Sequence, residues 1–510
     1  MKIKDLIKAT CFTLMAVITL VACSSDNDDD EAPKAEQASL VSFGFYAEDN
    51  AGILSKDYVA TVPTVTGSAT SYEIEIPMPA VVDKSALVAR FATNSGNKVL
   101  VDGVSQESQS SKNNFTAPVD YIVSNSDGTQ NLRFTVTITK ASNMVWSEAP
   151  SIGTATLYGA PVLRINPKDN TPYVAFKVRA DEANPEAANK MAVMRLADGA
   201  WAQVGSQGFS TEVNTSGFDF AISSNGTPYV AYSDREATSM LGALTAMKFN
   251  GSSWETIGDA GFSNTQAKNM GIAVFGDEVL VTGINDSRKS TFGRRTLVVS
   301  NYKNGWTTDY LSLFGSSTQT SFSTLKYSGD KAYLYVLGHG DSKYSIFEYE
   351  NSAWKTICEN RLQENATHTN LMGANMDVAP DGSLYLINVD DADQADEYYP
   401  RLQRYDAETK TWETVGGNKL DFGFPYDRHN DVKIAVAPDG TPYVFYTDKM
   451  EQNYPKFIYM DAETKQWSKP ATIANIKASE LSATFTSTGI AYVVFVDETN
   501  QLHTFMYAEK

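Results

Sequence analysis

The chain is poor in cysteine, histidine, tryptophan and positive charge. Of 510 residues, three are cysteine, four histidine and seven tryptophan. Cys11 and Cys23 belong to the N-terminal segment, so Cys358 stands alone in the body and an internal disulfide is excluded there. Cys358 sits where other repeats carry glycine ("WKTIC" against "WETIG" and "WETVG"), which reads as a strand-end residue and not a nucleophile. The histidines, His339, His368, His429 and His503, show no metal-ligand spacing. Lys and Arg number 42 against 61 Asp and Glu, a formal charge of −19, which argues against nucleic acid or an anionic membrane face as partner. Beyond the N-terminus no apolar run is long enough to span a bilayer.

What is present is a repeat. Trp146, Trp201, Trp254, Trp306, Trp354, Trp412 and Trp467 lie 48 to 58 residues apart. Around them one pattern recurs, as in "FDFAISSNGTPYVAYSD" (Phe218 to Asp234) followed by "ALTAMKFNGSSWETIG" (Ala243 to Gly258). Each copy holds four short alternating apolar runs separated by Gly, Asn or Asp turns, which predicts a four-stranded antiparallel sheet. Four strands per period of about fifty residues is the mark of a β-propeller blade. The Trp146 segment has no strands of its own before it, and the last copy, from Ser482 to Tyr507, has three strands and no Trp. Joined, they make one sheet, so the fold expected is all-β, with a seven-bladed propeller over 143–510 whose N-terminal strand closes the last blade. Closure removes exposed sheet edges.

The rest of the chain divides in order. Lys2, Lys4 and Lys8 precede an apolar run from Ala9 to Ala22, a signal peptide over 1–22. Its end, Leu20-Val21-Ala22-Cys23, resembles the bacterial lipobox and implies lipidation at Cys23. The acid-rich "SSDNDDDE" that follows opens a disordered tether over 23–37. Ser and acids next to such a Cys resemble the export signal of Bacteroidetes surface lipoproteins. That resemblance implies a lipid anchor in the outer membrane with the body facing the cell exterior, and the membrane as partner through the anchor alone. Residues 38–141 hold six runs of period two, including "SYEIEIP" and "LRFTVTIT", a small β-sandwich. "VSFGF" and "DGTQNLRFTVTIT" look like the cadherin-like or Ig-like domains of the same lipoproteins, which implies a spacer.

In a propeller the turns between first and second strands face one side, here tight (Asn225-Gly226, Asp381-Gly382, Asp439-Gly440), and the loops after the second strands face the other, here long and varied. Binding residues concentrate in such loops. Residues just before each innermost strand, at the axial mouth, are Tyr158, Asn214, Lys268, Asn269, Gln319, Asn375, His429, Asn430 and Glu480. A polar ring of this kind suits a hydroxyl-rich ligand. An acid follows the second strand in most blades (Asp234, Asp286, Asp448, Asp497), which reads as a loop-capping device. Tyr398, Tyr399, Tyr426 and Tyr454, with Arg428 nearby, add stacking faces for sugar rings on blades 5 and 6. Catalytic residues are not assigned. The sialidase aspartate box is absent, yet His429, Tyr426 and Arg428 resemble the His, Tyr and Arg set of propeller-shaped polysaccharide lyases, which implies roles as base, acid and carboxylate clamp. No metal ligand or cofactor is assigned; the acid-dense Val389 to Glu397 leaves Ca²⁺ open, although it lacks the EF-hand glycine and final Glu. The function expected is non-catalytic binding of an extracellular glycan or surface protein. The alternatives are a polysaccharide lyase or glycoside hydrolase, and a structural subunit of an outer-membrane uptake complex.

Overall fold

The computed structural model describes residues 36–509 except 55, 80–81, 141–143, 153–156, 180–183, 185–186, 312–318, 340–342, 363–370, 392–397, 418–419, 421–431 and 462–464. The leader, Cys23, His368 and the group Tyr426, Arg428, His429 and Asn430 lie outside the described residues, as does most of the acid-dense segment considered for Ca²⁺. Nearly all regular structure is β. The one helical element among the described residues is a 3₁₀ turn, Lys449–Glu451.

The first body of strands packs two sheets about one aromatic core. Leu40–Phe45 pairs with Tyr58–Val59 and Arg90–Thr93; Ser71–Met78, Asn131–Lys140, Val119–Ser124, Lys98–Val101 and Val104–Ser105 form the second sheet. Phe43, Phe45, Phe115, Tyr121 and Phe134 are buried between them, with Phe43 edge-on to Tyr121 at 5.0 Å. One of the six period-two runs, "ALVARF" (Ala86 to Phe91), is split between Leu87–Val88 and Arg90–Thr93. Asn50 sits at the break: its Oδ1 accepts from Val88 N at 2.8 Å and its Nδ2 donates to Val88 O at 2.9 Å, a side chain bonding both backbone groups of a residue that lies opposite Lys112.

Seven four-stranded sheets follow. In blade 2, Val213–Ile222, Pro228–Asp234, Ala243–Phe249 and Trp254–Thr256 run from the innermost strand outward, and blades 1 and 3 to 6 repeat this order. Each innermost strand packs on the next, and that of blade 7 (Ser479–Phe485) returns to that of blade 1 (Val162–Ile165), so the ring is closed. The turns explain the register. Asn225, Asp381 and Asp439 each accept the backbone N–H two residues on, at 2.9–3.1 Å, with Gly226, Gly382 and Gly440 at positive φ beside them. Burial follows radius. The second strands Pro228–Asp234 and Glu278–Asn285 are buried at every position because both faces meet neighbouring blades, whereas the outer strand Trp306–Leu311 alternates.

The tryptophans join blade to blade. Trp254 Nε1 donates to Val204 O of blade 1 at 2.8 Å, and Trp306 Nε1 donates to Ile257 O of blade 2 at 2.7 Å. Each indole sits on the glycine after that strand: a Cβ on Gly205 would lie 2.8 Å from Trp254 Cδ1, and one on Gly258 2.9 Å from Trp306 Cδ1. Trp467 covers Gly416 in the same way, although the outer strand of blade 6 is Ala471–Thr472, just past this indole, which makes only an isolated bridge with Met460. In blade 4 Cys358 replaces the glycine, beside Trp412; burial pushes its thiol up to about 11, so it stays protonated and inert.

Met144–Glu148 completes blade 7 as its outer strand, pairing Trp146 with Tyr507. Trp146 stacks on Tyr507 at 4.9 Å and meets Phe457 of blade 6 edge-on at 5.5 Å. His503 ties the closing strand down, with Nδ1 3.0 Å from Glu148 and Nε2 3.2 Å from Asp497. Gly258→Ala adds a clash to a left-handed backbone and is expected to lower stability by about 1–3 kcal/mol. Trp146→Ala, which empties the closing contact, is expected to cost about 3–5 kcal/mol. Guanidinium midpoints check both, and a Trp146→Ala midpoint equal to wild type contradicts closure by this strand.

Candidate ligand-binding site

The innermost strands spend their polar side chains on one another. Asp219 Oδ2 accepts from Ile272 N of the next blade at 3.0 Å, and Oδ1 takes Arg164 Nη2 of the preceding blade at 2.9 Å. Asn375 and Asp377 accept from Ile434 N and Val436 N at 2.8 Å, and Ser482 Oγ from Leu163 N at 3.2 Å. Tyr327 on blade 4 reaches Ile222 on blade 2, accepting from its N–H at 2.9 Å and donating to its carbonyl at 3.2 Å. Burial raises the Asp219 pKa, opposed by Arg164, and lowers that of Lys326, opposed by Asp377 at 3.8 Å. These groups are neutralised within the ring and are poor candidates for holding a ligand.

The mouth differs. The pairing of first with second strand slips at Val213/Phe218, Lys268/Gly271, Thr320/Phe322, Leu371/Gly373 and Ser479/Ser482. Such bulges at a rim re-aim side chains. Asn214, Asn269 and Glu480 lie inside three of them, Asn269 and Glu480 with φ near +51° and +56°; Lys268, opposite Ile284, borders one, and exposed Gln319 directly precedes a fourth. Asn375 lies deeper, opposite Ile387, where its side chain joins blade 5 to blade 6. Tyr158 lies under the Arg179 guanidinium at 4.2 Å. Tyr454 opens a third strand opposite Asp448 and is half-buried; the backbones of Tyr398 and Tyr399 pair with Asp391 and Asp390.

One part of the rim brings functional groups together. In blades 2, 6 and 7 the acid after the second strand binds its own loop: Asp234 accepts from Glu236 N, Asp448 from Met450 N and Asp497 from Thr499 N, at 2.8–2.9 Å. Blade 3 departs from this. There Asn285 takes the capping role, accepting from Ser287 N at 3.0 Å, and Asp286 instead faces two cations, Lys268 Nζ and Arg294 Nη2, both at 3.2 Å. The loop reads "DSRKSTFGRR" from Asp286 to Arg295, with four basic residues against one acid in a chain of net charge −19. Arg288 and Lys289 are exposed, and half-buried Arg295 has no ion-pair partner among the described residues. Arg295 O accepts from Thr320 N at 3.0 Å, and neighbouring Gln319 O from His339 N at 2.5 Å, which puts His339 beside the loop. Partial desolvation, then the charges of Arg295, Lys268 and Arg294, hold the His339 imidazole below its ordinary pKa. Phe292, 42% exposed, lies flat on Tyr310 with ring centroids 3.4 Å apart, leaving its other face open.

Thus Lys268, Gln319 and His339 meet, whereas Asn214, Asn375, Tyr454 and Glu480 sit on other blades. Arg294, Arg295 and Phe292 escaped the sequence reading; their signal was the local reversal of charge in the loop. Among the described residues no three His, Cys, Asp or Glu side chains are grouped to hold a metal ion.

No protein-family model matches the chain, and no curated protein does. Among solved structures it is similar to a PL25 ulvan lyase, at 10% identity and TM-score 0.46 over 71% of this chain and 96% of that one. It is similar to the polysaccharide lyase Uly1 at 10% identity and TM-score 0.47, over 71% and 92%. A DUF4623 family protein from Bacteroides eggerthii DSM 20697 is similar at 9% identity and TM-score 0.34, over 93% and 99%.

The ring contacts make a stability prediction separate from binding. Asp219→Ala strands Arg164 and the Ile272 N–H, and is expected to cost about 3–5 kcal/mol. Thermal and denaturant unfolding of the full chain check it.

Proposed function

We propose that the chain is the head of a lipid-anchored surface protein that binds an acidic extracellular polysaccharide at the blade 3 rim without turning it over. The observation that carries this reading is the pairing of Lys268 and Arg294 with Asp286, with Arg295 in the same loop having no ion-pair partner among the described residues, beside the exposed ring of Phe292. Carboxylate or sulfate groups pair with guanidinium and ammonium groups, and a sugar ring offers an apolar face to an aromatic. A polymer presents such groups repeatedly, matching the row from Arg288 to Arg295. The anchor at Cys23 and the outward tether place such a head where extracellular polymers are met.

Titration of the purified chain with acidic and neutral polysaccharides tests this. Acidic polymers are expected to bind more tightly, with affinity falling as salt rises. Arg294→Ala with Arg295→Ala is expected to weaken binding about tenfold or more, and Asp286→Ala, which frees two cations, to strengthen it. Equal binding of neutral and acidic polymers, unchanged in the double variant, sinks the reading. His339 adds a pH dependence. Its pKa is depressed, so it is neutral above about pH 6.5 and gains charge only on acidification; affinity for the polyanion should rise as pH falls below that. His339→Gln should flatten that rise and leave binding at pH 8 unchanged.

Eliminative cleavage is the second reading, and the same histidine favours it. A neutral imidazole beside cations able to neutralise a uronate carboxylate has the form of a base for proton abstraction next to that carboxylate. Unsaturated products from an acidic polysaccharide, lost in His339→Gln, would replace the binding reading with this one.

A further inference from the structure

The opposite face carries a groove of about 930 Å³ beneath blades 1 and 2, within the size range of small-molecule and oligosaccharide sites. Its walls come from the tight turns Asn225–Thr227 and Asn250–Ser252 of blade 2, the end of the outer strand of blade 1 near Gly205, and Asp277 of blade 3. Tyr173 and Tyr229, equivalent residues of successive second strands, line it with Arg195 and Lys248.

Comparison with blade 5 explains why this space is open. There Tyr385 pairs across strands with Arg404, whose guanidinium lies 6.0 Å from the ring. Arg404 is held by Asp381 at 3.1 Å, Asp406 at 2.9 Å and Glu413 at 3.1 Å. In blade 1 the same register pairs Tyr173 with Arg195. Two of the three acids are gone: Ala197 follows Arg195 by two positions, as Asp406 follows Arg404, and Ala202 lies opposite Arg195 as Glu413 lies opposite Arg404; the third, Asp169, stands where Asp381 does but makes no ion pair with Arg195 among the described residues. Arg195 is exposed and has no acid partner among the described residues. In blade 2 the equivalent cation, Lys248, is neutralised by Glu255 at 3.1 Å. Asp277, exposed, likewise has no cation partner among the described residues. The hydroxyls of Tyr173 and Tyr229 make no hydrogen bond to the described residues, although these side chains are only 6% and 9% exposed.

The groove therefore offers one cation and one anion without ion-pair partners among the described residues, two phenolic hydroxyls and the Asn225 Nδ2 donor, with no net charge. Its aliphatic members Val204 and Pro228 are buried and Phe249 is half-buried, so polar groups make up most of its wall. Mixed donors and acceptors without excess charge suit a polyol. We propose that this lower-face groove is a second binding site, for a neutral oligosaccharide, with Arg195 as its principal donor. The site is separate from the blade 3 rim and does not depend on the reading of that rim.

The test uses the full chain in saturation-transfer NMR against neutral oligosaccharides of gluco-, manno-, galacto- and xylo- type, with acidic oligosaccharides and short peptides alongside. Arg195→Ala removes the donor. Ala202→Glu, at an exposed position, rebuilds the acid of blade 5 and should lock Arg195 without disturbing the core. At least one neutral oligosaccharide should bind, with affinity reduced about tenfold in both variants and unchanged in Arg295→Ala. Thermal unfolding confirms that the variants are folded. The proposal is overturned if no neutral oligosaccharide binds, if binding is unchanged in both variants, or if only acidic sugars or peptides are captured in the groove.

Discussion

The ring depends on contacts in which an indole of one blade is seated on the blade before it. A single four-stranded sheet of this kind cannot cover its own two faces, and the second strands are buried on both only because neighbours close over them. Trp254 on Gly205, Trp306 on Gly258 and Trp467 on Gly416 repeat one geometry, in which a glycine at positive φ ends an outer strand and leaves a place without a Cβ. Apolar area supplies most of the stabilisation at these seats. In blades 2 and 3 the indole N–H adds direction, reaching a specific carbonyl at 2.8 Å and 2.7 Å, whereas the buried Nε1 atoms of Trp146, Trp201 and Trp467 have no partner among the described residues. Where the glycine is replaced by Cys358, Trp412 is held by other means, under the Arg361 guanidinium at 4.7 Å. The contact is periodic but not uniform.

At small radius a different rule applies. The inner strands converge, apolar side chains would crowd, and carboxylates and amides instead take backbone N–H groups from the adjacent strand. This consumes the charged residues nearest the axis. A ligand is therefore met at the rims, where first strands bulge and loops escape the repeat. The two faces differ because one is made of tight Asx turns that bind themselves, and the other of loops whose lengths and charges vary from blade to blade.

This division also decides what could be read in advance. The blade count, the strand order within a blade and the borrowed closing strand follow from residues that recur at one spacing: Trp, the Asn-Gly or Asp-Gly turn, and the apolar second strand. Recurrence in one chain acts as its own alignment. The rim was only half legible. Lys268, Asp286 and His339 stood out individually, yet their meeting depends on bulges that no local pattern announces. Asn375 looked like a mouth residue because sequence offset does not reveal depth along a strand. Arg294 and Arg295 lie eight and nine residues past Asp286, in a loop whose sequence no other blade repeats, so no recurrence marks them. The lower groove was invisible for a related reason: Ala197 and Ala202 matter only as missing acids, and an absence is seen only against the register of another blade.

The net charge of −19 raises an objection to a polyanion at the blade 3 rim, and distance answers it. At physiological ionic strength the screening length is about 8 Å, so acids on remote blades contribute little to the field at Arg295. What a carboxylate or sulfate meets there is local: Lys268 and Arg294 each 3.2 Å from a shared Asp286, the Arg295 guanidinium without an ion-pair partner among the described residues, and a histidine held below its ordinary pKa first by desolvation and then by these cations. Two cations around one acid leave a net positive charge, and Asp286 serves to hold their positions before a ligand arrives. The overall negative charge keeps its own role. It discourages polyanions from adhering elsewhere on the body, so that the rim of blade 3 competes with little else on the same molecule.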